Sequence, residues 1–135
     1  MRLWNGWGDE KDYSNVELSS SLKALLSGLL GSGKTLPINT LEKAISKIPD
    51  SKMPHHKLIS TSKEDRLRHT RGQSLSDWFS MHSGEIDCFT DGVPFPRSND
   101  EVKELLLFAS ENNINVIPYG GGTSVVGHIN PERHG

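Results

Sequence analysis

The stretch Val116-Ile117-Pro118-Tyr119-Gly120-Gly121-Gly122-Thr123-Ser124-Val125-Val126-Gly127 decides how the rest of the chain is read. A β-branched apolar pair leads into three consecutive glycines, a Thr and a Ser, which is a way to stop a strand and let a ligand touch bare backbone. Glycine can adopt positive φ and expose N–H groups that converge on an anion, and the Thr123 and Ser124 hydroxyls add donors. Taken alone, these residues leave two readings open: a phosphate-cradling loop, or a plain glycine-rich turn between strands.

The residues just upstream tip the balance toward the cradle. Cys88-Phe89-Thr90-Asp91-Gly92-Val93-Pro94-Phe95-Pro96 suggests short extended segments that the prolines confine to a sheet edge or a strand end. Ser98-Asn99-Asp100-Glu101 is a capping box, and Val102, Leu105, Leu106 and Ala109 give the helix behind it an apolar stripe. Leu107 and Phe108 widen that stripe, so the helix is expected to be covered on much of its circumference. Asn112 and Asn113 end it, and Val116-Ile117-Pro118 begins a strand. The order strand, capped helix, strand, glycine loop predicts a right-handed βαβ unit. This is an α/β arrangement, or α+β with its helical extension, and such sheets bind ligands at strand C-terminal ends.

Residues 1–84 read as a helical, loop-rich N-terminal extension, and residues 85–135 as the start of a cofactor domain. Trp4 and Trp7 are expected to dock the N-terminus onto a surface. Leu18, Leu22, Leu25, Leu26, Leu29 and Leu30 have helical spacing, with Gly31 and Gly33 as stops. Gly28-Leu29-Leu30-Gly31-Ser32-Gly33-Lys34-Thr35 also fits the triphosphate-loop pattern G-x-x-x-x-G-K-[ST]. That pattern needs a strand before it and a helix opening at its end. Here helical leucines precede it and Pro37 follows, so a helix C-cap is the favoured reading and a nucleotide-triphosphate site using Lys34 the alternative. Asn39-Thr40-Leu41-Glu42, Thr61-Ser62-Lys63-Glu64 and Ser74-Leu75-Ser76-Asp77 open three more short helices, the second of them ended by Arg71-Gly72. His55-His56 lacks a Cys or carboxylate at ligand spacing, so exposed loop histidines are expected rather than a metal site.

Composition excludes several function classes. The 135 residues amount to about one domain, with 33% hydrophobic residues and a loop-rich share of 13 Gly and 7 Pro. A net charge of −2 with interspersed signs offers no basic face for nucleic acid. The lone Cys88 permits no internal disulfide and fits a reducing compartment. No apolar run approaches the roughly 20 residues needed to cross a bilayer, and Met1 to Gly8 lacks a signal-peptide core. A soluble, cytoplasmic protein is expected.

With these residues assembled, a family likeness emerges. Phe95-Pro96-Arg97-Ser98-Asn99-Asp100-Glu101-Val102, a helix, and Val116 to Val125 together resemble the start of the FAD-binding domain (PCMH type) of vanillyl-alcohol-oxidase flavoproteins. Trp4-Asn5-Gly6-Trp7-Gly8, the segment Asp65-Arg66 through Gly72, and the Ile-Pro-x-Gly-Gly-Gly-Thr-Ser form of the loop are most similar to the alkyldihydroxyacetonephosphate-synthase branch.

The resemblance implies a loop that wraps the FAD pyrophosphate with backbone N–H groups of Tyr119, Gly120, Gly121, Gly122, Thr123 and Ser124. Pro118, which has no N–H, would fix the entry of the chain. Superfamily members with covalent flavin often carry histidine where this chain has Thr123, so non-covalent FAD is implied, and His128 reads as a surface residue. The branch further implies exchange of a fatty acyl for an alkyl group on a lipid precursor; the broader superfamily offers oxidation of a 2-hydroxy acid instead. A non-catalytic interaction fragment is the bland alternative. Such flavoproteins continue past the glycine loop with the catalytic residues, so an N-terminal fragment without catalytic residues of its own is expected. A partial sheet would leave unpaired edges and an uncovered helix face.

Overall fold

The computed structural model describes residues 3–9, 11, 17–34 and 37–132. Helix α1 (Ser20–Leu30) and helix α2 (Leu41–Ser46) come first, then strand β1 (Ile59–Ser60), helices α3 (Lys63–Arg68) and α4 (Leu75–Ser83), strand β2 (Val93–Pro94) and helix α5 (Asn99–Glu111). Each helix starts at a hydroxyl that accepts an otherwise orphaned backbone N–H: Ser19, Thr40, Ser62, Ser74 and Ser98. Caps of this kind contribute about 1 kcal/mol each. At α3 the cap is Ser62 and not Thr61, and α3 gives way at His69, ahead of Arg71-Gly72.

The core lies where α2 meets α3. Ala44, Ile48 and Leu67 are buried there, with Trp4, Leu41, Ile45, Ile86 and Phe89 packed around them. Trp4 thus docks the N-terminal segment, whereas Trp7 stays about half exposed. Beside Leu67, the Arg66 side chain is only 1% exposed. Its Nε donates to the Thr90 carbonyl at 2.7 Å, and Nη1 to the Pro49 carbonyl at 2.8 Å. Nη2 lies 3.8 Å from Asp91 Oδ1. A single guanidinium thereby ties two loops to α3, as a planar donor fork can.

Two expectations about the sheet and its helix need correction. The βαβ unit is not formed among the described residues. β2 pairs antiparallel with β1, Ile59 opposite Pro94 and Ser60 opposite Val93, while Val116-Ile117-Pro118 is in no strand. A β-prone run becomes a strand only beside a partner, and none is offered here. Helix α5 is not covered around its circumference either. It buries Leu105 and Ala109, and leaves Leu106 and Leu107 exposed at 53% and 55%. Helix α1 buries no residue. The mixed helix and strand content places the chain in a broad α/β class, with a two-stranded ribbon in place of a wound sheet.

Candidate functional site: a glycine loop stapled at both ends

The chain leaves α5 through Asn113, whose φ is +54°, and the Ile114 N–H returns to the Ala109 carbonyl at 2.8 Å. Residues 115–118 then run exposed to Tyr119, which anchors the loop's entrance. Its hydroxyl donates to the Arg68 carbonyl at 3.2 Å, and its ring lies 4.7 Å from that of His69. His69 is itself fixed by Nδ1 against the Asp65 carbonyl at 2.7 Å and by an edge contact with Phe95.

The exit is stapled more heavily. The Gln73 N–H donates to the Ser124 carbonyl at 2.6 Å, and Gln73 is braced by Trp78 Nε1 on its Oε1 at 2.7 Å. Asn130 bridges two groups: its Oδ1 accepts the Gly72 N–H at 3.2 Å, and its Nδ2 donates to Asp77 Oδ1 at 2.7 Å. Ser124 Oγ lies 3.0 Å from His128 Nδ1. The buried Ile129 adds an apolar anchor.

Between the staples the backbone is free. Among the described residues, no backbone N–H from Tyr119 to Gly127 donates to a group of the protein. Gly122 is buried with φ +68°, a conformation that by itself calls for glycine. Gly120 and Gly121 are different. Neither has positive φ, a Cβ on Gly120 would meet nothing within 4 Å, and one on Gly121 only Thr123 Cγ2 at 3.5 Å. The fold does not demand their bareness. A ligand pressed against the backbone would, and the arrangement can offer several N–H groups to one anion. Pro118, Tyr119, Gly120, Gly121, Gly122, Thr123 and Ser124 thus form one continuous, largely exposed segment.

Gly72, Gln73, Asp77 and Asn130 position this loop and escaped the sequence reading. The one local signal was Asp77 at the capping-box position after Ser74. Other motifs fall elsewhere. Gly28 lies inside α1 and Gly31 caps it at φ +81°, so a helix precedes Lys34 where a triphosphate loop needs a strand; Thr35 lies outside the described residues. Of the two histidines expected to be exposed, His55 is exposed but His56 is largely covered: its Nδ1 accepts from the Leu58 N–H at 3.2 Å, its Nε2 lies 3.4 Å from Glu104 Oε1, and its ring is 4.5 Å from Phe108. Among the described residues no helix is long and apolar enough to cross a membrane.

No family model matches the chain. It is 29% identical to an alkyldihydroxyacetonephosphate synthase of Dictyostelium discoideum, over 95% of this chain and 26% of that protein. It is 30% identical to a mitochondrial D-lactate dehydrogenase (cytochrome) of Kluyveromyces lactis, over 71% of this chain and 16% of that one. A solved alkyldihydroxyacetonephosphate synthase superposes with a TM-score of 0.75 at 26% identity, covering 98% of this chain and 30% of its own. The chain therefore spans about a quarter of the length of the synthases it matches. Sequence and fold agree: the chain belongs to the vanillyl-alcohol-oxidase superfamily of FAD-binding oxidoreductases, with the alkyldihydroxyacetonephosphate synthases and the cytochrome-type D-lactate dehydrogenases.

Proposed function

We propose that the chain supplies the pyrophosphate cradle of an alkyldihydroxyacetonephosphate-synthase-like flavoenzyme, with FAD held non-covalently by residues 118–124. The observation that carries this is the bareness of Gly120 and Gly121, which neither φ nor a neighbouring atom of the protein requires. The residues fit the group: unpartnered backbone donors from Tyr119 to Ser124, flanked by the Ser124 hydroxyl, suit a diphosphate, whose charge such donors offset without a cation. Bound flavin would supply the redox and electron-accepting chemistry. The chain's own contribution is to bind and orient it. Tyr119 and Ser124 hold the loop's ends, Pro118 removes a competing N–H at the entrance, and Thr123 offers no imidazole for a covalent link.

Residues 1–84 serve in this reading as the extension on which the cradle is braced, and residues 85–135 as the start of the FAD-binding unit. The exposed run Val116-Ile117 and the bare α5 face suit completion of a βαβ unit by further sheet. Alkyl-for-acyl exchange on a dihydroxyacetonephosphate lipid precursor is favoured because the likeness to the synthases extends over 95% of the chain. The D-lactate dehydrogenase likeness, at 30% identity, supports oxidation of a 2-hydroxy acid as the second reading. The lone Cys88 suits a reducing compartment such as the cytoplasm.

The test is the visible absorption spectrum of the purified chain after incubation with FAD and desalting, beside Gly121→Asp. Flavin retained by the parent and lost by the variant supports the cradle; equal retention, or none in either, counts against it.

A further inference from the structure

Asp77 is 3% exposed, an unusual place for a carboxylate that a solvent-facing cap would serve equally well. Its Oδ2 closes the capping box of α4, accepting the Ser74 N–H at 3.2 Å and the Ser74 hydroxyl at 2.6 Å. That work occupies one oxygen. The other, Oδ1, accepts from Asn130 Nδ2 at 2.7 Å, and Asn130 Oδ1 in turn takes the Gly72 N–H at 3.2 Å. The peptide after Gly72 is the one whose N–H holds the Ser124 carbonyl. Segment 124–130 is therefore gripped at both ends by one buried carboxylate and the turn it organises, and that segment begins where the cradle ends. Burying a carboxylate is costly unless its oxygens are satisfied, and here every described bond it accepts runs to the cap or to the loop's exit.

We propose that Asp77 is a positioning residue for the dinucleotide cradle, acting through Asn130 and Gly72 to fix the exit of the glycine loop so that the N–H groups of residues 122–124 face the diphosphate. The proposal rests on the FAD reading above. It assigns Asn130 the same task and gives the helical extension a direct part in cofactor affinity.

A reciprocal exchange tests it on the full chain. Asp77→Asn sets two amide N–H groups against each other, and Asn130→Asp sets two carboxylates face to face. The double variant D77N/N130D restores every bond, with only the one between positions 77 and 130 reversed in direction. The amide oxygen introduced at position 77 accepts from Ser74, and the amide nitrogen donates to the carboxylate introduced at position 130, which still accepts the Gly72 N–H. Two readouts are needed: amide hydrogen exchange without ligand at Gly72, Gln73 and Asn130, whose N–H groups are bonded to Asn130 Oδ1 and to the Ser124 and Gly127 carbonyls, and FAD affinity from flavin fluorescence. Each single variant should speed exchange at these three amides and weaken FAD about tenfold or more, while amides of α2 and α3 keep their protection. The double variant should recover both to within about threefold. Single variants that exchange and bind like the parent overturn the proposal, as does a double variant that recovers neither although α2 and α3 stay protected. A parent chain that binds no FAD, with loop exchange responding as described, counts against the cofactor reading and leaves the clamp itself supported.

Discussion

Gly72 lies against the Ser124 carbonyl so closely that a Cβ on it would overlap the carbonyl oxygen, with Ser124 C and Cβ both 3.2 Å away. The obstacle is backbone, which cannot swing aside as a side-chain tip can. Gly72→Ala should therefore push the loop's exit away from the Gln73 N–H, at a cost of about 1–3 kcal/mol. Thermal unfolding of the variant should shift down by several degrees, and FAD retention should fall with it. An alanine variant as stable as the parent would mean that the loop does not sit on this turn.

Gly120 makes the opposite case. A Cβ there meets nothing within 4 Å and its φ is not positive, so Gly120→Ala should leave folding stability within about 0.5 kcal/mol of the parent. Its added methyl occupies the space a diphosphate would use, so FAD should be lost from a fully folded chain. Urea unfolding and desalted-flavin absorbance on the same sample check both halves. Together the two glycines separate a structural demand from a ligand's demand.

Arg66 should be the most sensitive side chain in the core. Arg66→Met keeps an unbranched apolar stem but strands the Thr90 and Pro49 carbonyls that Nε and Nη1 satisfy. The expected loss is about 2–4 kcal/mol, measured as a fall in urea midpoint at unchanged slope. Arg66→Lys should rescue little of it, because one ammonium cannot reach acceptors on two separate loops in the geometry of a planar fork.

Lys34 gives a negative control with content. It follows a helix C-cap instead of a strand, and residues 28–34 are exposed. Lys34→Ala should change neither FAD retention nor stability, and the parent should show no saturable binding of a nucleoside triphosphate by fluorescence titration. Triphosphate binding abolished by this substitution would revive the alternative motif.

What could be read from the chain was its local chemistry. Ser74 and Ser98 as caps and Gly31 as a stop depend on residues within one turn of each other, and they stand where the pattern put them. At Thr61-Ser62 two hydroxyls each precede an acid by three residues, Glu64 and Asp65, so the pattern alone could not choose between them. The staples were illegible for a different reason. Asn130 reaches Asp77 and Gly72 across 53 and 58 positions, and nothing local to any of the three marks the others. Periodicity also marked which α5 residues want cover without saying whether cover is there. Val116 and Ile117 carry the propensity of a strand and lack the partner that makes one.

Tyr119 separates the two kinds of contact that hold the loop's entrance. Tyr119→Phe keeps the ring beside His69 at 4.7 Å and loses only the hydroxyl's bond to the Arg68 carbonyl, at a cost of about 0.5–1.5 kcal/mol. Because that carbonyl sits at the fraying end of α3, water can replace the lost donor, so FAD affinity should fall only about two- to threefold. Tyr119→Ala removes the ring as well and leaves the loop stapled at its exit alone. FAD affinity should then drop at least about tenfold, while the Gly72, Gln73 and Asn130 amides keep their protection from hydrogen exchange, because the exit staple through Asp77 and Asn130 is untouched. Exchange rising at those three amides as well would show that the two staples are not independent, and that the loop is held as one unit.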